Sequence, residues 1–208
     1  MTVPLYGLDI ETDTTTDGLD PAVSAIVAVA VSTDSRDHVF TGSEPTILRH
    51  VDRLVSGLPA GLLVTWNGAT FDLPFLECRS RHVGVPLGLE LWEDPSIVRR
   101  RHGEPDDVPY RGRWFGHRHL DGYRLYRADV GRSLGLSCGL KPLSRLVGLH
   151  PVEVDRSRIQ DLDHATLVDY VASDARLARQ LVERRLPTSL TFADPPGPPT
   201  RCQTPLPG

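Results

Sequence analysis

Near its start the chain reads Leu5-Tyr6-Gly7-Leu8-Asp9-Ile10-Glu11-Thr12, an apolar run that ends with two carboxylates two positions apart. Side chains alternate across a β-strand, so Asp9 and Glu11 are expected to point to the same side. Neighbouring carboxylates at the end of a buried strand repel each other and lose hydration, and a divalent cation is the usual compensation. Two solvated acids at a strand end would give the same pattern. A metal site therefore requires further ligands from elsewhere in the chain.

The composition is that of an ordinary globular protein, with 39% hydrophobic and 24% charged residues in a chain of 208. The net charge of -4 provides no overall basic field, so nucleic-acid binding would need a local patch. The three cysteines are scattered and odd in number, which favours reduced thiols and a cytoplasmic location over disulfides or a zinc site. The sequence predicts neither a signal peptide nor a membrane-spanning segment.

Hydrophobic periodicity predicts strands and helices in an order typical of an α/β sheet of mixed direction. The predicted strands are residues 5–10, 25–31, 38–41 and 62–66, with another possible at 115–120. The predicted helices are residues 43–57, 71–82 and 140–147, one beginning at Asp121 and one from Asp163 toward Leu186. Short loops favour an antiparallel meander for the first three strands, and the helix before the fourth favours parallel pairing with the first.

Prolines and polar residues without an apolar period fill the chain from Ala193 onward. This composition predicts a disordered tail. We therefore expect one domain over residues 1–190 and a proline-rich tail over residues 191–208.

A basic and aromatic stretch between residues 99 and 118 interrupts the regular pattern. Its arginines and Trp114 could hold substrate phosphates and stack on bases. A solvated loop would explain the same residues equally well, if the arginines pair with the acids that lie within the stretch. Those acids are Glu104, Asp106 and Asp107.

A second group of polar residues follows the strand predicted at residues 62–66. Asn67 begins a tight turn, and Asp72 falls in the first turn of the next helix, where the helix dipole alone favours an acid. Ligands of open α/β sheets gather at the carboxyl ends of the strands, which is where the carboxylates of the first strand also lie. Asn67 and Phe71 would line the same opening. There the amide could hydrogen-bond a nucleotide and the aromatic ring could stack on a base.

A third pair of residues, Tyr170 and Asp174, lies four positions apart on the last predicted helix and therefore on one face. By itself this spacing is also typical of a core tyrosine beside a surface acid. The order Asp-x-Glu, Asn-Gly-x-x-Phe-Asp and Tyr-x-x-x-Asp is much more specific than any one of the three motifs.

In this order the three motifs resemble those of the tyrosine-containing branch of the DEDD superfamily of 3′–5′ exonucleases. The second motif is most similar to the proofreading domain of family-B DNA polymerases and to stand-alone exonucleases related to it. The resemblance runs from about Leu5 to Leu186, includes the helix at residues 140–148, and favours a stand-alone form without a polymerase domain. It implies a ribonuclease-H-like mixed sheet flanked by helices, two divalent cations (Mg²⁺ or Mn²⁺), and removal of nucleoside monophosphates from a 3′ end.

The resemblance also implies a role for each motif residue. Asp9 would bridge the two cations, and Glu11 and Asp174 would hold the cation that activates water. Asp72 would act on the second cation, and Tyr170 would orient the attacking water. Contacts to the terminal nucleotide are expected from Thr12, Asn67 and Phe71.

The chemistry agrees with these roles. Phosphodiester cleavage needs a nucleophile at neutral pH and a stabilised leaving oxygen, and two metals ~3.5–4 Å apart supply both. The leading hypothesis is a metal-dependent 3′–5′ exonuclease acting on single-stranded or frayed nucleic acid, with DNA favoured over RNA by the resemblance alone. An RNA exonuclease of the same chemistry and a non-catalytic nucleic-acid-binding module are the alternatives, and the presence of all five motif residues argues against the latter.

Overall fold

The computed structural model describes residues 3–94 and 110–186. The strands in this part of the chain are β1 (Leu5–Thr12), β2 (Ile26–Ser32), β3 (Asp37–Thr41), β4 (Leu62–Thr65), β5 (Leu89–Glu93), β6 (Tyr110–Trp114) and β7 (His117–Asp121). The helices are α1 (Glu44–Gly57), α2 (Asp72–His82), α3 (Gly122–Tyr126), α4 (Arg132–Leu134), α5 (Leu140–Leu146) and α6 (His164–Glu183). A π-helical turn covers Arg127–Gly131, and a 3₁₀ helix covers Arg156–Asp161.

All seven strands form one mixed sheet in the order β3-β2-β1-β4-β7-β6-β5. β1 pairs antiparallel with β2 and parallel with β4, and β4 pairs parallel with β7. The antiparallel meander of the first three strands and the parallel pairing of the fourth strand with the first are therefore confirmed. The predicted α/β class, a mixed sheet flanked by helices, is confirmed as well.

The two faces of β1 pack against different helices. Tyr6, Leu8 and Ile10 belong to the main core, which also contains apolar residues of α1 and α2. On the opposite face, Leu5 shares a second core with residues of α6. Burying a leucine as fully as Leu8 contributes about 1.5–3 kcal/mol. The strand that carries Asp9 and Glu11 is thus fixed from both sides.

Several predicted boundaries need small corrections. β1 continues through Thr12, two residues beyond the predicted strand, and a bulge lies between Glu11 and Thr12. The strand expected at residues 115–120 is β7, displaced to residues 117–121. Ser43, the N-cap of α1, makes no capping hydrogen bond, whereas Asp163, the N-cap of α6, accepts the backbone N–H of Thr166.

Strands β5 and β6 were not predicted. They are five residues each and pair antiparallel, and in β6 the exposed Arg111 and Arg113 alternate with the buried Gly112 and Trp114. Trp114 is fully buried, and its indole N–H donates to Asp52 Oδ1 over 2.8 Å. The suggestion that Trp114 stacks on bases is therefore wrong.

The rest of the basic stretch is described only in part. Arg111 pairs with Asp94 and Arg113 pairs with Glu90, two acids that the sequence did not suggest as partners. Arginines 99–101, those suggested acids and the tail predicted at residues 191–208 lie outside the described residues. None of the described helices is both long and apolar enough to cross a membrane.

Candidate active site

The carboxylates of β1 meet α6 because the two elements approach unusually closely. Gly7 lies on the same face of β1 as Asp9 and Glu11, and a Cβ atom there would be 1.9 Å from the carbonyl oxygen of Ala175. The missing side chain lets the helix rest on the strand backbone, one residue from Asp174. Ligand oxygens of Asp9, Glu11 and Asp174 consequently lie within 4.8 Å of one another.

Several oxygen atoms in this cluster lack partners. Among the described residues, five buried side-chain polar atoms have no hydrogen bond, and three of them are Asp9 Oδ2, Asp174 Oδ1 and the Tyr170 hydroxyl. A buried polar atom without a partner costs about 1–3 kcal/mol. A divalent cation that prefers oxygen ligands would satisfy the two unpaired carboxylate oxygens, Asp9 Oδ2 and Asp174 Oδ1. The donor set therefore fits Mg²⁺ or Mn²⁺.

Asp72 supplies a fourth carboxylate from the first turn of α2. Its side chain is buried, and the backbone of Asp72 itself and of Ile10 lowers its pKa against the larger effect of burial. Asp72 is not one of the three residues whose oxygens converge, but its charge raises the pKa of Asp9 and Glu11. The structure thus brings Asp174 of the third predicted motif together with Asp9 and Glu11 of the first, and the charge of Asp72 acts on them.

The four carboxylic acids have raised pKa values in the absence of metal. Burial is the main cause, and it raises the pKa of Glu11 to about 8, of Asp72 to about 7 and of Asp174 to about 6. The pKa of Asp9 is raised well above its ordinary value by burial and then by repulsion from its three acidic neighbours. Ionising all four of these acids at neutral pH therefore requires positive charge nearby.

Lys141 on α5 supplies part of that charge and was not recognised in the sequence. Its Nζ atom lies 3.6 Å from Asp174 Oδ2 and 4.0 Å from the centre of the Tyr170 ring. The same ammonium donates a hydrogen bond of 2.6 Å to the carbonyl oxygen of Val152. The sequence signal was available, because this lysine is the only one in the chain and precedes the tyrosine motif.

Arg156 is a second cation that was not recognised. It begins the 3₁₀ helix before α6, and its charge lowers the pKa of all four carboxylic acids against the larger effect of burial. No sequence pattern distinguished it from the other arginines of the chain.

The predicted substrate contacts occupy different environments. Asn67 is exposed just after β4 and has a φ of 69°, a left-handed conformation that asparagine adopts more readily than most residues. Phe71 is half-buried at the start of α2 and packs on Phe75, with ring centres 5.3 Å apart. Thr12 is buried, and its hydroxyl donates to the carbonyl oxygen of Gly18 over 2.6 Å.

Asp121, at the end of β7, holds the turn that carries Asn67. Its carboxylate accepts the backbone N–H of Asn67 over 2.9 Å and that of Ala69 over 3.3 Å. It also accepts the N–H of Tyr123 over 3.0 Å and thereby caps α3. The position of Asn67 therefore depends on a residue that lies more than fifty positions away along the chain.

The fold and the acidic cluster together define an α/β protein with a candidate metal site at the junction of a central strand and the last helix. No protein-family model matches the chain. Over 87 residues, or 41% of its length, the chain is 29% identical to a DNA polymerase of Archaeoglobus fulgidus, and it spans only 11% of that polymerase.

A solved structure shows the same architecture. The family B DNA polymerase from the hyperthermophilic archaeon Pyrobaculum calidifontis superposes with a TM-score of 0.68 and 24% sequence identity. The match covers 88% of this chain and 24% of the polymerase chain. This likeness confirms the predicted ribonuclease-H-like fold, and it concerns the fold alone.

Proposed function

We propose that this chain is a metal-dependent 3′–5′ exonuclease that releases nucleoside monophosphates from single-stranded or frayed DNA. The observation that carries the proposal is the convergence of Asp9, Glu11 and Asp174 within 4.8 Å, with buried oxygen atoms left unpaired. The similarity to DNA polymerases supports a nucleic acid as the substrate and favours DNA over RNA. Residues 1–190 would form the exonuclease domain.

Four carboxylates would hold two divalent cations, Mg²⁺ or Mn²⁺, and roughly balance their charge. Asp9 would be shared between the cations, Glu11 and Asp174 would bind one, and Asp72 would act on the other. The chemistry that such a pair supplies when bound is a nucleophile at neutral pH and stabilisation of the leaving 3′ oxygen. Raised pKa values of the carboxylic acids mean that proton release accompanies metal binding.

Tyr170 would orient the attacking water through its hydroxyl. Burial, followed by the charges of Glu11 and Asp174, raises the pKa of this phenol, so it stays protonated at neutral pH. A protonated phenol cannot act as a general base, but it can hold a water molecule by hydrogen bonding. Lys141 fixes the ring from its face, a cation–π contact worth about 0.5–2 kcal/mol.

The 3′ end would enter along the carboxyl ends of β1 and β4. Exposed Asn67 and half-buried Phe71 are the proposed contacts for the terminal nucleotide on the β4 side. Thr12 would contribute through its place at the end of β1, since its hydroxyl is already bonded to Gly18. Passage of a 3′ end between these two strand ends would favour a single strand over an intact duplex.

A 5′-labelled oligonucleotide tests the proposal. With Mg²⁺ or Mn²⁺ the wild type is expected to produce a ladder of shorter 5′-labelled strands, and with EDTA none. Asp9→Ala is expected to lose this activity, whereas Asp169→Ala, which removes an exposed acid from α6, is expected to keep it.

The outcomes separate the alternatives. Binding without shortening would support a non-catalytic nucleic-acid-binding module, and faster shortening of RNA than of DNA would support an RNA exonuclease. Equal shortening by wild type and Asp9→Ala would mean that the catalytic site lies elsewhere.

A further inference from the structure

The 3₁₀ helix Arg156–Asp161 is attached to the loop that follows β1. The Thr14 hydroxyl contacts the Gln160 side chain and lies 3.4 Å from the carbonyl oxygen of Ser157. The side chain of Ile159, which is only 2% exposed, anchors the helix to the protein interior. These contacts attach the helix beside the end of β1, and the charge of its first residue, Arg156, acts on Asp9, Glu11 and Asp174.

Two arginines of this helix differ sharply in their surroundings. Arg158 donates to Asp161 Oδ2 over 2.8 Å, and Asp161 and Asp155 raise its pKa. Arg156 is exposed and makes no hydrogen bond or ion pair with any residue in the described ranges. Its charge instead acts on Tyr170 and on the carboxylates of the site.

The charge balance of the site leaves a role for such a cation. Four carboxylates and two divalent cations are close to neutral together, and Lys141 is already engaged by Asp174 and by the carbonyl of Val152. A substrate strand adds one negative charge per phosphate. Arg156 retains its donors for that charge, and a guanidinium binds two oxygens of a phosphate in parallel.

We propose that Arg156 binds the phosphate of the 3′-terminal nucleotide, the group at which cleavage occurs and which leaves with the product. The inference rests on the proposed function, since it assigns a substrate contact to the same site. It makes Arg156 a phosphate-binding residue and leaves its neighbour Arg158 structural. The product of the reaction therefore retains the contact, and the nucleoside without its phosphate lacks it.

Product binding provides the test. Binding of dTMP and of thymidine is measured by calorimetry in the presence of Mg²⁺, for wild type, Arg156→Ala, Arg156→Lys and Arg158→Ala. A charge-assisted hydrogen bond is worth about 1.5–3 kcal/mol, so Arg156→Ala is expected to weaken dTMP binding roughly 10-fold to 150-fold. Thymidine binding should not change, Arg156→Lys should lose less, and Arg158→Ala should match wild type.

Three results would overturn the inference: dTMP binding by Arg156→Ala equal to that of wild type, an equal loss in Arg158→Ala, or an equal loss of thymidine binding. Exonuclease rates on the same proteins keep this inference separate from the proposed function. A wild type that binds dTMP through Arg156 but shortens no strand would contradict the exonuclease assignment alone. A wild type that shortens strands while Arg156→Ala binds dTMP normally would contradict the Arg156 assignment alone.

Discussion

Gly7 of β1 and Ala175 of α6 are in such close contact that a Cβ atom at Gly7 would lie 1.9 Å from the Ala175 carbonyl oxygen. No rotamer change relieves a clash between a Cβ atom and a backbone oxygen, so the helix itself would have to move. The contact therefore sets the distance between the carboxylates of β1 and Asp174, and with it the geometry of the proposed metal site.

Gly7→Ala is expected to destabilise the protein and to reduce nuclease activity by more than the loss of folded protein explains. Overpacking typically costs about 1–3 kcal/mol in free energy of unfolding, and displacement of α6 would also separate Asp174 from Asp9. Urea unfolding and the oligonucleotide assay measure the two effects. Gly57→Ala is the matched control, because no atom lies within 4 Å of its added Cβ. Normal activity in folded Gly7→Ala protein would contradict this role of Gly7.

Tyr170→Phe is expected to slow cleavage by about tenfold or more with little change in strand binding, because it removes one hydrogen bond to the attacking water. The Tyr170 hydroxyl is buried and has no partner at hydrogen-bond geometry among the described residues, so its loss should cost little stability. Single-turnover rates and anisotropy binding measurements separate these effects. An unchanged rate across the pH range would assign Tyr170 a structural role.

Lys141→Gln is expected to move the onset of activity to higher pH. Burial raises the pKa of Asp174 to about 6, and Lys141 opposes that rise, so without the lysine the pKa is higher still. Metal binding needs the ionised carboxylate, and a higher pH is then required to reach it. A pH–rate profile measures the shift, with Arg145→Gln, an exposed α5 residue paired with Glu153, as the control. Identical profiles for wild type and Lys141→Gln would contradict the prediction.

Metal-free protein is expected to lose stability as the pH rises from about 6.5 to about 8. Burial raises the folded-state pKa of Glu11 to about 8 and of Asp72 to about 7, so both acids bind protons more tightly in the folded protein than in the unfolded chain. Their contribution is complete below the unfolded pKa and disappears as the pH passes the folded values.

The same pH window avoids an opposing effect. Burial lowers the pKa of His119 to about 3, so its effect increases stability as the pH rises from that value to its unfolded pKa, and the effect stays constant at higher pH. Thermal melts in EDTA should therefore show Tm falling over this range, and saturating Mg²⁺ should raise Tm most at the upper end. A Tm that stays constant or rises with pH in EDTA would contradict the assigned carboxylate environment.

Asp121→Asn is expected to weaken substrate binding more than it slows the chemical step. Asp121 holds the backbone of the Asn67 turn, lies at the end of β7 and is not one of the three converging carboxylates. Replacing one carboxylate oxygen by an NH₂ group places a donor against backbone N–H donors. A higher KM with a smaller change in kcat would support this role, and a kcat effect alone would contradict it.

Local sequence patterns were sufficient to predict how the strands around the site pair. Alternation along β1 predicted that Asp9 and Glu11 share a face, and the helix before β4 predicted its parallel pairing. Helical spacing likewise placed Tyr170 and Asp174 together. These inferences held because each depends on the geometry of a single element or of one connection.

Features that depend on contacts distant in sequence could not be predicted in this way. The approach of Lys141 to Asp174 depends on how α5 packs against α6, and the position of Arg156 depends on a loop contact from Thr14. Trp114 was misassigned because its partner, Asp52, lies on a helix 62 positions away. The sequence shows which residues are charged or aromatic, but not which of them face the same cavity.

The most direct measurement uses a single strand labelled only at its 3′-terminal nucleotide and incubated with wild-type protein and Mg²⁺. The proposed function predicts that the label appears first as a nucleoside 5′-monophosphate and that Asp9→Ala releases none. Label that remains in the full-length strand, or that appears first in longer oligonucleotides, would contradict a 3′–5′ exonuclease at this site.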